Sequence, residues 1–99
     1  MPTSTTFKTG RKADVNASAV QMTTDTTKGD YGVLVRAGSG NSGKLYIGNS
    51  SGVTANSADA TDGFPLSAGE SVVVKVRSPD QIYVIADGAN NDDLWWMLV

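Results

Sequence analysis

The chain lacks cysteine and histidine altogether, carries a single glutamate (Glu70), and has no apolar run longer than the six residues 94–99. Without cysteine there is no disulfide framework, no thiolate nucleophile and no sulfur-bound metal site. Without histidine the usual general base near neutral pH, the common zinc ligand and the Ser-His and Cys-His pairs are missing too. A catalytic site would have to be built from Asp, Glu70, Lys, Tyr, Ser and Thr, so the expectation is a protein that is not an enzyme and takes no cofactor or metal. The apolar runs fall far short of the ~20 residues of a membrane-spanning helix, and no apolar stretch of the signal-peptide kind follows the start, so no membrane contact is expected. Positive charge is also scarce. Eight Lys and Arg against ten Asp and Glu leave a net charge of −2, which argues against a nucleic-acid partner that needs a basic face.

The few cations are unevenly placed. Lys8, Arg11 and Lys12 precede the first acid, so residues 1–12 carry +3 and the remainder −5. The Thr- and Ser-rich start "MPTSTTFKTG" has little to bury, and "FKTGRKA" at 7–13 is too polar to read as an element. Residues 1–14 are therefore expected to form a flexible arm, with Phe7, Lys8, Arg11 and Lys12 as the side chains that order upon a partner. Residues 15–99 make one domain. A chain of this length buries only about 60–65% of its unfolded surface, so assembly is expected to add stability.

Hydrophobic periodicity assigns the domain to strands. "YGVLVRA" at 31–37 alternates, with Tyr31, Val33, Val35 and Ala37 on one face and Gly32, Leu34 and Arg36 on the other. "KLYIG" at 44–48 puts Leu45 and Ile47 inward, "ESVVVKVR" at 70–77 aligns Val72, Val74 and Val76, and "QIYVIAD" at 81–87 continues the pattern. "ASAVQM" at 17–22 is a weaker strand with Val20 and Met22 aligned. The stretches between are rich in Gly, Asn, Ser and Asp, which turn the chain by backbone freedom and local hydrogen bonding. No segment sustains a 3.6-residue period. The predicted fold is all-β, a compact antiparallel β-sandwich or barrel, jelly-roll-like.

Two of the connecting stretches invite a chemical reading. "GSGNSGK" at 38–44 spells the first part of a phosphate-binding loop, but Leu45 stands where a magnesium-binding Ser or Thr belongs, and a strand follows where a helix is required. It reads as a hairpin loop. "DGANNDD" at 87–93 offers Asp87, Asn90, Asn91, Asp92 and Asp93 as oxygen ligands, yet lacks the order and the twelfth-position glutamate of a calcium loop. It too reads as a polar hairpin. The aromatic residues Tyr31, Tyr46, Tyr83, Trp95 and Trp96 could instead stack on sugars, which keeps open a carbohydrate-binding or host-attachment domain as the alternative function.

The end of the chain, "DDLWWMLV", reads as a last strand. Leu94, Trp96 and Leu98 then share one face and Trp95, Met97 and Val99 the other. One set fills the core. The second set, Trp95, Met97 and Val99, is expected to meet a neighbour in a homo-oligomer, because a contiguous apolar patch of this kind marks an interface.

The most specific wording lies in residues 45–87, where "YIG", "GVTA", "GFPL", "GES" and "YVIAD" follow one another. Physically this is a strand, a small-residue crossover, a re-entry anchored by Phe64 and Leu66 around Pro65, and a tight turn at Gly69 feeding a valine strand. The combination resembles small structural proteins of tailed bacteriophages, in particular capsid decoration or cement proteins, over a little under half the chain. The resemblance implies a non-enzymatic virion protein of compact β-fold that sits on the capsid surface. It implies a homotrimer at three-fold or quasi-three-fold positions, with the major capsid protein as partner.

Overall fold

The computed structural model describes residues 7–56 and 60–99. Among the described residues eight strands form: β1 (Thr9–Val15), β2 (Val20–Gln21), β3 (Val33–Ala37), β4 (Leu45–Gly48), β5 (Phe64–Leu66), β6 (Ser71–Val74), β7 (Tyr83–Ala86) and β8 (Asp92–Leu98). One short 3-10 turn, Pro79–Gln81, precedes β7. The strands make two four-stranded sheets, one in the order β1-β8-β3-β6 and the other β2-β7-β4-β5, and every pairing within them is antiparallel. The first strand pairs with the eighth, the second with the seventh, the third with the sixth and the fourth with the fifth. That nesting is what a single long antiparallel ribbon produces when it is rolled up, so the sandwich has jelly-roll connectivity. The sheets do not close into a barrel.

The core follows the alternation. Val33, Val35 and Ala37 from β3, Leu45 and Ile47 from β4, Val84 and Ala86 from β7, and Leu94, Trp96 and Leu98 from β8 meet between the sheets. Val72, Val74 and Val76 pack against them from one side. Val20 packs against the same core and Met22 is buried in it, although only Val20–Gln21 pair as a strand. Pro65 sits on β5, an edge strand, where its missing N–H leaves no gap in a ladder. Gly69 adopts φ +83 at the turn into β6, the left-handed conformation that favours glycine.

Three sequence expectations change. The arm ends earlier than residue 14, because β1 runs from Thr9 and pairs along β8, with Thr9 opposite Met97, Gly10 opposite Trp96, Arg11 opposite Trp95 and Lys12 opposite Leu94. The ladder reaches further still, since the Leu98 N–H donates to the Lys8 carbonyl at 2.9 Å. Main-chain hydrogen bonds to β8 need no apolar side chains from β1, which is why so polar a segment forms a strand. Residues 1–6 of the expected arm lie outside the described residues. The second change concerns the loops 38–44 and 87–91. They are not hairpins, because β3 and β4, and likewise β7 and β8, lie in opposite sheets. Glycine and asparagine signal a reversal of the chain but not which sheet receives the next strand. The third is Phe64, which stays 59% exposed while Leu66 is buried; among the described residues β5 has no strand beyond it.

At one end of the sandwich the crossovers brace one another. The buried carboxylate of Asp92 accepts from the Ser42 N–H at 2.8 Å and the Gly43 N–H at 3.4 Å. Asp87 accepts from the Lys44 N–H and from the Asn90 amide. Asn41 bonds the Asp93 backbone in both directions, and Asn16 does the same to Asn91 through its main chain and side chain. A Cβ at Gly43 would collide with the Asp87 carboxylate and the Asn90 amide, so glycine at this position lets that acceptor close in. The letters that suggested phosphate or calcium binding thus hold the chain's own amides. Among the described residues no three Asp or Glu side chains converge as a metal site.

Candidate docking face

The two sheets differ in what covers their outer faces. On the β2-β7-β4-β5 sheet, Tyr46 and Ile85 point outward but are buried, because Val53 and Ala55 from the β4–β5 crossover and Ala19 fold over them with Tyr83. On the β1-β8-β3-β6 sheet, the outward residues Arg11, Trp95, Arg36, Ser71 and Val73 stay exposed, with Leu34 and Met97 half-buried among them. Directly opposite residues of neighbouring strands share a face, so the register arranges them in two rows. One row runs Thr9, Met97, Leu34, Val73; the next runs Arg11, Trp95, Arg36, Ser71. Trp95 and Val73 are each 47% exposed.

Trp95 is therefore flanked on both sides by arginine. The Arg11 guanidinium lies over the Trp95 ring, 5.3 Å from its centroid, a contact that attracts through the ring quadrupole and holds the planar fork in one orientation. Neither Arg11 nor Arg36 forms an ion pair among the described residues. With strands about 4.8 Å apart, the backbones of Arg11 and Arg36 lie roughly 10 Å apart on either side of Trp95. The face combines an aromatic and aliphatic strip with two unneutralised cations, on a body that is otherwise acidic.

The expected site residues are only partly brought together. Trp95 and Met97 lie on this face. Val99 is half-buried at its end, with its N–H donating to Gly32 O and its carbonyl accepting from the Tyr31 N–H. Of the arm residues, Arg11 joins the face. Lys12 falls on the core side of the edge strand β1, half-buried opposite Leu94, just before a bulge at Asp14 with φ +58. Phe7 is exposed, and Lys8 is turned away into an ion pair with Asp25 at 2.5 Å. That ammonium, helped by Thr27, lowers the Asp25 pKa from 3.8 to about 2.

Leu34, Arg36 and Val73 complete the face, and none was singled out from the sequence. The signal was there in the odd-numbered valine of "SVVV" and the second face of "YGVLVRA", but it needed the strand order to become a patch. Of the aromatic residues considered for sugar stacking, Tyr46 and Trp96 are buried and Tyr83 packs with Tyr46. Tyr31 is exposed, not aligned with Val33, because β3 begins two residues after it. Among the described residues no helix is long and apolar enough to cross a membrane. No known protein family, curated protein or solved structure matches the chain.

Proposed function

We propose that this chain is a non-enzymatic structural protein of a virion, which seats on the outside of a phage capsid and stabilises it as a decoration or cement protein. Its partner is the major capsid protein, and it acts as a homotrimer at three-fold or quasi-three-fold positions. The observation that carries this reading is the asymmetry of the sandwich: the chain covers the outer face of one sheet with its own crossover and leaves Trp95 and Val73 exposed, beside half-buried Met97 and Leu34, on the other. Bare apolar surface with a tryptophan and arginines at its centre has the composition of an interface core.

The mechanism is geometric. A cyclic trimer offers three copies of one contact patch, so modest contacts to neighbouring shell subunits add through effective concentration. Binding only the assembled shell raises its stability by mass action. The seat of Arg11 over the Trp95 ring favours protein docking over sugar stacking, since a pyranose would need the ring face that the guanidinium occupies.

The test is Trp95→Asp. The new carboxylate stands between Arg11 and Arg36 in the free protein, so the far-UV spectrum and melting midpoint are expected to stay close to wild type. Light scattering is expected to show loss of the trimer, and purified particles to lose the protein from the hundreds of copies that decoration requires. A monomeric wild type found in a handful of copies per particle would overturn the reading.

A further inference from the structure

The β1-β8-β3-β6 sheet has two edges, and they are treated differently. The β1 edge is guarded by Lys12 on its core side and by the bulge at Asp14, two devices that stop a further strand from adding. The β6 edge, "SVVV", has neither.

Register fixes what that edge offers. The Ala37 N–H donates to the Glu70 carbonyl at 2.9 Å, and hydrogen-bonded pairs alternate along an antiparallel ladder. With Val35 opposite Val72 and Val33 opposite Val74, the backbone groups of Val72 and Val74 turn to β3. Those of Ser71 and Val73 turn outward, where the sheet has no further strand among the described residues. Beside this edge runs an apolar groove of about 400 Å³ between the two sheets, lined by Phe64, Val72, Val74, Val76 and Ile82 among others. Both faces of the open edge are therefore apolar, Val73 on the outer side and the groove with Phe64 on the inner side.

We propose that β6 pairs antiparallel with β6 of a second copy across a two-fold axis centred on Val73, joining two sheets into one of eight strands. The occupant is a second copy because the segment is complementary to itself. Pairing about Val73 sets Val73 against its own mate, Val72 against Val74 and Ser71 against Lys75. It matches outward backbone groups with outward backbone groups, as an isologous contact requires. The charges agree as well. Exposed Glu70 stands at the start of β6, and exposed Lys75 and Arg77 follow its end. Antiparallel pairing sets Glu70 opposite Val76 and carries the two acids to opposite ends of the contact, whereas parallel pairing would stack like charges. The contact shares Val73 with the rim of the Trp95 face but runs through the backbone edge of β6, and its tests use the free protein, so it holds or fails independently of the capsid reading.

Cysteine trapping tests it directly, because the chain has no cysteine of its own. Residues in a hydrogen-bonded antiparallel pair have Cα atoms about 5.5 Å apart, inside the roughly 4.4–6.8 Å range that a disulfide spans. The full-length Val73→Cys variant is expected to give a two-chain product in high yield under mild oxidation. Ala17→Cys, exposed on the connection between β1 and β2, is expected to give little.

Two further variants guard against chance collisions. Val73→Pro removes an N–H that points out of the sheet, so β3–β6 pairing survives while addition of a strand is blocked. Val73→Lys puts a charge against its own mate. Both are expected to keep the wild-type circular dichroism and to lose the concentration-dependent doubling of mass seen by sedimentation. No trapped product from Val73→Cys, equal trapping from Ala17→Cys, or doubling that persists in folded Val73→Lys would each overturn the proposal. Doubling that persists only in a mixture with another protein would assign the edge to a foreign strand instead.

Discussion

Replacing Gly10 by alanine asks whether residues 9–14 are a strand of the sheet or a loose arm. An ideal Cβ at Gly10 falls 2.5 Å from Cε2 and Cζ2 of Trp96 and 2.6 Å from its Nε1, against a comfortable carbon separation of about 3.5–4.0 Å. The ring has little room to retreat, because Trp96 is 5% exposed and packed within the main core. Either the indole shifts or β1 lifts from β8. Overpacking of this kind costs roughly 1–3 kcal/mol, offset by about 0.5–1 kcal/mol from removing a glycine's backbone entropy. A net loss of about 1–2 kcal/mol is expected, readable against the ~5–15 kcal/mol stability of a typical domain.

The partner substitution Trp96→Leu removes the atoms that collide. On that background Gly10→Ala is expected to be neutral or mildly stabilising, so the double-mutant cycle should show coupling of about 1–3 kcal/mol, the overpacking cost itself. Urea denaturation followed by far-UV circular dichroism on the four proteins measures it without relying on tryptophan fluorescence. Gly10→Ala within about 0.5 kcal/mol of wild type, or strict additivity with Trp96→Leu, would refute the placement of β1 over the indole.

Asp92→Ala strips the acceptor from the Ser42 and Gly43 amides; with charge-assisted bonds at roughly 1.5–3 kcal/mol each, a loss of about 3–5 kcal/mol is expected in the same urea assay, and a loss below about 1 kcal/mol would mean the amides find other partners. Acid should loosen the Lys8–Asp25 tie. Because the folded pKa of Asp25 is lowered, its contribution is fully present above the ordinary value of 3.8 and is lost as pH falls through about 2. The melting midpoint is thus expected to fall more steeply over that window in wild type than in Asp25→Asn, and parallel curves would show that the ion pair adds nothing.

Much of the strand pattern was legible in the letters. Alternation placed Val33, Val35, Leu45, Ile47, Leu94, Trp96 and Leu98 inward because the side-chain period of a strand is a local property, set by the backbone alone. It also sorted Trp95 and Met97 to the opposite face. The same local rule failed at Tyr31, which precedes its strand, and was silent at "TGRKADV", where a polar sequence forms a strand only because β8 supplies main-chain partners.

Strand order belongs to the tertiary structure. A glycine- or asparagine-rich turn reads the same whether the chain returns in its own sheet or crosses to the other, and the choice is made by which apolar faces can be buried together. So the docking face, in which Arg11, Trp95 and Arg36 from three separate strands stand in one row, could not be read from any one segment. Neither could the cover over Tyr46 and Ile85 nor the bare β6 edge. Periodicity is written residue by residue, whereas adjacency between distant segments arises only when the rolled ribbon closes its core.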